Sequence, residues 1–175
     1  MEFEQLIEQR RSVRSYKDEP IERELVETIL KEAQSAPSWK NSQTARVYAV
    51  IEKEKLEKVR STLPSFNQKS SAGACLLVTT FVRKVSGHTQ SVPDNEGGDL
   101  WGAYDLGLHD AYLILSAKNH GLDTLIMGLR DSEQLRDILA ISEDEEIMSV
   151  IALGHGEGQP AFKNRKALEE VAVID

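Results

Sequence analysis

A chain of 175 residues with 40% hydrophobic and 29% charged side chains can bury a core without a disulfide or structural metal, and its composition excludes disorder. A net charge of -8 excludes broad electrostatic binding to nucleic acid or to an anionic membrane, so any anion site must be local. The lone cysteine, Cys75, excludes an internal disulfide, and no stretch approaches the roughly 20 apolar residues of a membrane span.

The first residues, Met1 to Ile7, are acidic and amphipathic, unlike the basic and then apolar start of a signal peptide. The sequence has no repeat, low-complexity tract or linker, and it reads as one cytoplasmic domain over residues 1–175.

Phe3, Leu6 and Ile7 are spaced for a short helix. After the loop marked by Pro20, Leu25, Val26, Ile29, Leu30 and Ala33 repeat at helical spacing. Ala36 to Thr44 is a polar connection, Arg46 to Glu52 alternates as a strand would, and Glu54 to Leu63 is helical through Leu56, Val59 and Leu63. Ala74 to Val82 reads as a buried strand, in which Cys75 is a structural thiol. Residues 83–101 are irregular, a length that is uncommon unless the loop covers a site or moves.

Gly102 to His120 is predicted as a long helix ended by Gly121, with Asp105, His109, Tyr112, Ser116 and Asn119 on one stripe. The rest of its circumference is apolar, so it buries more than one face, in the core or against a second subunit. Leu122 to Met127 and Ile147 to Gly154 are further strands, flanking a helix that opens on an Asp131/Gln134 capping pair. Val171 to Ile174 reads as a last short strand. Strands and helices are mixed rather than alternating, which points to an α+β sandwich.

Arg10-Arg11-Ser12-Val13-Arg14 gathers three guanidinium groups and a hydroxyl, a set suited to gripping a phosphate dianion. Taken alone, such a string is equally a solvated helix end favoured by the macrodipole. Lys163-Asn164-Arg165-Lys166 supplies the same groups from the far end of the chain, and together the two stretches suggest one phosphate site. The glycines of Gly154-His155-Gly156-Glu157-Gly158 are misplaced for a dinucleotide fingerprint, and Pro160 stands where a helix would open. The four histidines and Cys75 lack zinc spacing, so no metal is expected, and Ser12, Ser38 and Ser42 lack a hydrolase nucleophile context.

With these elements in this order, the chain resembles the nitroreductase family of FMN-dependent flavoproteins over nearly its full length. The family's opening basic pattern stands as Arg10-Arg11-Ser12-Val13-Arg14, and its Pro-Ser-x-x-Asn-x-Gln loop as Pro37-Ser38-Trp39-Lys40-Asn41-Ser42-Gln43. Its flavin-contacting asparagine corresponds to Asn67, with Gln68 as the alternative one residue on. The start of its long helix appears in part as Tyr104-Asp105-Leu106-Gly107. Ile126-Met127-Gly128 matches the segment against the isoalloxazine ring, and Lys163 and Arg165 the terminal basic pair.

The resemblance implies a three-layer α+β sandwich, with a mostly antiparallel central sheet flanked by helices, in an intertwined homodimer. It implies FMN as cofactor, NADH or NADPH as electron donor, and ping-pong transfer to a small nitroaromatic or quinone-like acceptor. Arg14 would stabilise negative charge at the N1/O2 edge of the reduced ring, while Arg10, Ser12, Lys163 and Arg165 hold the phosphate. Trp39 is a pocket aromatic or a packing residue. Thr44-Ala45 and Gly154-His155-Gly156 depart from the family pattern, which bears on substrate and donor choice. Reductive dehalogenation, flavin breakdown and non-catalytic FMN binding stay open, because a fold does not fix a reaction.

Overall fold

The computed structural model describes residues 2–175. Its sheet is assembled from β1 (Ala45–Val50), β2 (Cys75–Val82), β5 (Asp123–Met127) and β6 (Glu145–Gly154), in the order β1-β2-β6-β5. Every neighbouring pair is antiparallel, with a register shift between Thr79 and Thr80 where β2 meets β6.

The two central strands are apolar on both faces, and successive side chains divide between them. Leu76, Val78, Val150 and Ala152 pack with Val59, Leu63, Leu135 and Leu139, from α3 (Lys53–Ser61), the turn after it and α6 (Ser132–Leu139). Cys75, Leu77, Ile151 and Leu153 pack on the opposite face with Val26, Ile29, Leu113 and Ala117, from α2 (Arg23–Ala33) and α5 (Leu100–Asn119). Helices therefore cover both faces of one antiparallel sheet, the three-layer α+β sandwich that the sequence implied. No helix among the described residues is long and apolar enough to cross a membrane.

Local chemistry sets the element ends. Asp131 accepts the Gln134 amide at 3.0 Å and its side-chain amide at 2.7 Å, forming the expected capping pair at α6. α5 ends in a Schellman motif, with Gly121 at φ 80, Gly121 N–H on Lys118 O and Leu122 N–H on Ala117 O.

Three expectations change. Ser65–Ser70 forms a short helix, α4, which no apolar periodicity announced. Residues 83–99 carry a small hairpin, β3 (His88–Thr89) with β4 (Val92–Pro93), and α5 begins at Leu100 rather than Gly102. The tail is not a strand: after a 3-10 turn at Leu168–Glu170, Val173 and Ile174 are 87% and 84% exposed, with no ladder to join. β-branched composition gives a strand only where an edge is available to pair with.

α1 (Phe3–Gln9) lies against α5 and buries none of its residues; Phe3 and Ile7 of α1 and Tyr104 and Tyr112 of α5 are all exposed.

Candidate active site

The two basic stretches converge, and hydrogen bonds at the β5 edge explain why. Val13 N–H donates to Thr124 O at 3.1 Å, so the chain at Ser12 and Val13 meets β5 at a single bridge. Lys17 N–H then donates to His155 O at 2.9 Å, and Glu157 N–H to Ser15 O at 2.8 Å, which ties the chain leaving β6 to the same segment. The glycine-rich segment after β6 is this connector. A Cβ on Gly154 would lie 2.8 Å from the Tyr16 ring, so the close approach needs a glycine there. Tyr16 is buried and donates to Val13 O at 3.0 Å; burial and the nearby Asp123 carboxylate push its phenol far up, so it remains a donor.

Carried this way, Arg10, Arg11, Ser12, Arg14, Lys163 and Arg165 line one cavity of about 240 Å³ with Pro160 to Phe162. Two guanidiniums lie over the Phe162 ring, Arg11 at 4.8 Å and Arg165 at 5.2 Å from its centre. Arg11, Arg14 and Arg165 donate to the carbonyls of Arg10, Ser12 and Lys163. Arg10, Arg11, Arg14, Lys163 and Arg165 are absent from the ion pairs found among the described residues, which join other cations to their acids. Five uncompensated cations around one hollow in an acidic protein suit a phosphate dianion, and the buried Arg11 Nε still lacks a protein partner. The residues present therefore fit the phosphate of the mononucleotide that the sequence implied.

Ile126, Met127 and Gly128 end β5 on the same edge. The Met127 side chain is 3% exposed and belongs to the core under α3 and α6, so only its backbone can face a ligand. Ile126 points to the other face and is 48% exposed. Arg130, which sequence reasoning passed over, donates to the carbonyls of Gly128 and Ile147 and clamps the end of β5 onto β6. Burial lowers its pKa from the usual arginine range. Asn67 is buried in α4, while Gln68 donates its side-chain amide to Leu63 O at 2.7 Å, so Asn67 is the better candidate of the pair. It lines neither cavity described here.

The Pro37–Gln43 loop lies elsewhere. Pro37, Ser38 and Gln43 line a separate cavity of about 290 Å³ with Thr44, Arg46, Asp105 and His109. Thr44 Oγ1 is buried there without a protein partner. Trp39 packs on Trp101 with ring centres 4.5 Å apart, and Asn41 is exposed beside it.

This loop feeds β1, the sheet edge opposite β5. At about 4.8 Å per strand and 3.3 Å per residue, Ser12 and Ala45 lie about 19 Å apart across the sheet and about 20 Å along it. One protomer therefore does not bring the predicted loop residues to its own basic cavity.

A basic cavity at the open edge of a three-layer α+β sandwich suits the phosphate of a nucleotide and places the chain in a particular architectural class. The sequence pattern of the Nitroreductase family matches residues 7–155, and the chain belongs to that family. It is 29% identical over 161 residues to an Archaeoglobus fulgidus protein named, by inference, an NADH dehydrogenase/NAD(P)H nitroreductase, covering 90% of this chain and 87% of that one. It is 28% identical over 170 residues to the FMN reductase [NAD(P)H] of Bacillus subtilis, covering 92% of this chain and 68% of the relative. Among solved structures, an Exiguobacterium sibiricum protein, described by inference as a nitroreductase and solved in complex with FMN, superposes with a TM-score of 0.84. It shares 20% identity, and the match covers 100% of this chain and 98% of that one.

Proposed function

We propose that the chain is an FMN-dependent oxidoreductase, acting as a homodimer in the cytoplasm, that passes electrons from NADH or NADPH to a small nitroaromatic or quinone-like acceptor. The observation that carries this reading is the convergence of Arg10, Ser12, Lys163 and Arg165 on one cavity. Bound FMN supplies hydride acceptance and release, which lets donor and acceptor occupy one site in turn.

The chain's own residues bind and orient. Arg10, Ser12, Lys163 and Arg165 hold the phosphate through charge-assisted hydrogen bonds. Arg11 braces Phe162, and thereby the basic tail. Arg14, which lines the same cavity, would stabilise the negative charge that the flavin gains on reduction. Asn67 and the backbone of Ile126 to Gly128 flank the ring. Pro37, Ser38, Trp39, Asn41 and Gln43 come to it from the second copy.

Support for the dimer lies in the loop's distance from the basic cavity and in the exposed apolar surface of Phe3, Ile7, Tyr104, Tyr112, Val173 and Ile174. The whole of residues 1–175 acts as one FMN-binding domain in this reading. The spectrum of the purified protein, before and after anaerobic addition of each nucleotide, tests cofactor and donor together. A yellow protein that bleaches supports the reading, whereas colourless protein that FMN cannot reconstitute overturns it. A folded monomer by size-exclusion chromatography with light scattering overturns the dimer.

A further inference from the structure

Seven non-glycine residues among those described have left-handed backbone, and six stand in two loops. Lys40 (φ 49), Asn41 (φ 55) and Gln43 (φ 49) belong to the loop that enters β1, and Lys84 (φ 57), Gln90 (φ 50) and Ser91 (φ 63) to residues 83–99. Side chains resist this geometry, which persists only where the surroundings enforce it.

One carboxylate joins both loops to a rigid helix. Asp105 Oδ2 accepts the Trp39 N–H at 3.0 Å, the Ser86 hydroxyl at 2.6 Å and, at a longer 3.4 Å, the Ser42 hydroxyl. Asp105 is 4% exposed, and a charge removed from water is satisfied by the donors turned towards it. The other polar bridges between the loops run through the Lys40 ammonium, to Asp94 at 3.1 Å and to the Thr89 hydroxyl at a longer 3.4 Å, and use a lysine side chain that is 63% exposed, where such contacts contribute little. The Trp39–Trp101 contact adds packing and no directional hold on the backbone.

We propose that Asp105 is a positioning residue: it locks the 37–43 loop and the 83–99 loop in one strained arrangement, presenting Ser38, Asn41 and Gln43 to the acceptor side of the site. The proposal deepens the flavoenzyme reading and rests on it for its functional half. Fixed placement of these side chains spares the acceptor the cost of ordering the loop when it binds. Loss of the carboxylate then weakens acceptor binding and leaves the distant phosphate grip intact.

The test compares Asp105→Asn with Asp110→Asn in the FMN-loaded protein. Asp110 is a second buried carboxylate on the same helix, bonded to Thr79 of the sheet and to neither loop. Hydrogen exchange at the Trp39 amide is expected to speed by roughly tenfold or more in Asp105→Asn and to stay near wild type in Asp110→Asn. The KM for a nitroaromatic or quinone acceptor is expected to rise by roughly tenfold, with the Kd for FMN changing by no more than about threefold because the phosphate grip is untouched, and the rate of reduction by saturating NAD(P)H within about twofold.

Equal Trp39 exchange in the two variants, or an FMN Kd that weakens as much as the acceptor KM rises, overturns the proposal. If Asp105→Asn fails to fold, Ser86→Ala removes the shortest tie and is read in the same way against Asp110→Asn. A wild-type protein that NAD(P)H does not reduce defeats the functional reading, while the exchange comparison still decides whether Asp105 holds the loops.

Discussion

Ser15 and Glu157 are joined twice across 142 positions of sequence: the Glu157 N–H donates to the Ser15 carbonyl at 2.8 Å, and the Ser15 hydroxyl donates to the Glu157 carboxylate at 2.8 Å. This clasp lies next to the cavity where the two basic stretches meet. Glu157→Ala leaves the backbone bond and removes the side-chain one. The expected result is FMN bound about three- to tenfold more weakly, with a melting temperature lowered by no more than about 2–4 °C, because the pair is exposed. Fluorescence titration and thermal unfolding measure the two effects on one sample.

Arg165→Ala removes a charge from the proposed phosphate grip and one of the two guanidiniums over the Phe162 ring. At about 1.5–3 kcal/mol for a charge-assisted hydrogen bond, FMN affinity is expected to fall roughly 10- to 100-fold. Riboflavin, which lacks the phosphate, is expected to bind the variant and the wild type alike. Equal losses for both ligands count against Arg165 as a phosphate ligand.

Glu32 links α2 to α5, accepting the Ser116 hydroxyl at 2.6 Å and meeting His120 Nε2 at 3.0 Å. The Ser116 hydrogen bond, then that of His120, holds its carboxyl below the ordinary value of 4.5. A carboxyl with a depressed folded pKa stabilises the fold fully above its unfolded value, and that contribution fades as the pH falls through the folded one. Its side chain is 46% exposed, so solvent screening limits the effect to about 0.5 kcal/mol. Wild type and Glu32→Gln are expected to differ in unfolding free energy at pH 6–7, with the gap closing as the pH is lowered well below 4.5. A gap that widens in acid contradicts this.

Burial pushes the Cys75 thiol up to about 12. Thiolate is the reactive species, so native protein at pH 8 is expected to resist a disulfide-exchange reagent and to take up one equivalent once unfolded in denaturant. Rapid labelling of folded protein shows β2 to be less tightly covered than its packing implies.

The sequence made the layers legible wherever pattern and packing agree. α2 shows its inward face, β2 and β6 read as buried runs, and Asp131/Gln134 marks the start of α6. α4 stayed hidden because Ser65 to Ser70 has no apolar period, and its one buried residue is the polar Asn67. The tail misled through Val171, Val173 and Ile174, since β propensity states a preference and not the presence of a partner strand.

At the site, the paired basic stretches were visible, and the reason they meet was not. Ser15, Lys17, His155 and Glu157 connect them through backbone hydrogen bonds, which leave no side-chain signature. Asp105 reads in sequence as one polar residue on a stripe and as part of the helix-start pattern Tyr104-Asp105-Leu106-Gly107, because a carboxylate that ties two loops looks there like any other helical acid. Phe162, an aromatic set among basic residues, was the available sign that the tail meets the first basic stretch.

The strand order β1-β2-β6-β5 has a consequence for the proposed assembly. Each chain offers its phosphate grip from one margin and its Pro37–Gln43 loop from the other, so it works as half of two different catalytic centres. Two impaired copies, one weakened in FMN binding by Arg165→Ala and the other in acceptor binding by Asp105→Asn, would then pool their undamaged margins in a mixed pair. Such a pair holds one whole centre and one doubly impaired one, and co-expression is expected to give turnover above that of either parent at low FMN and low acceptor.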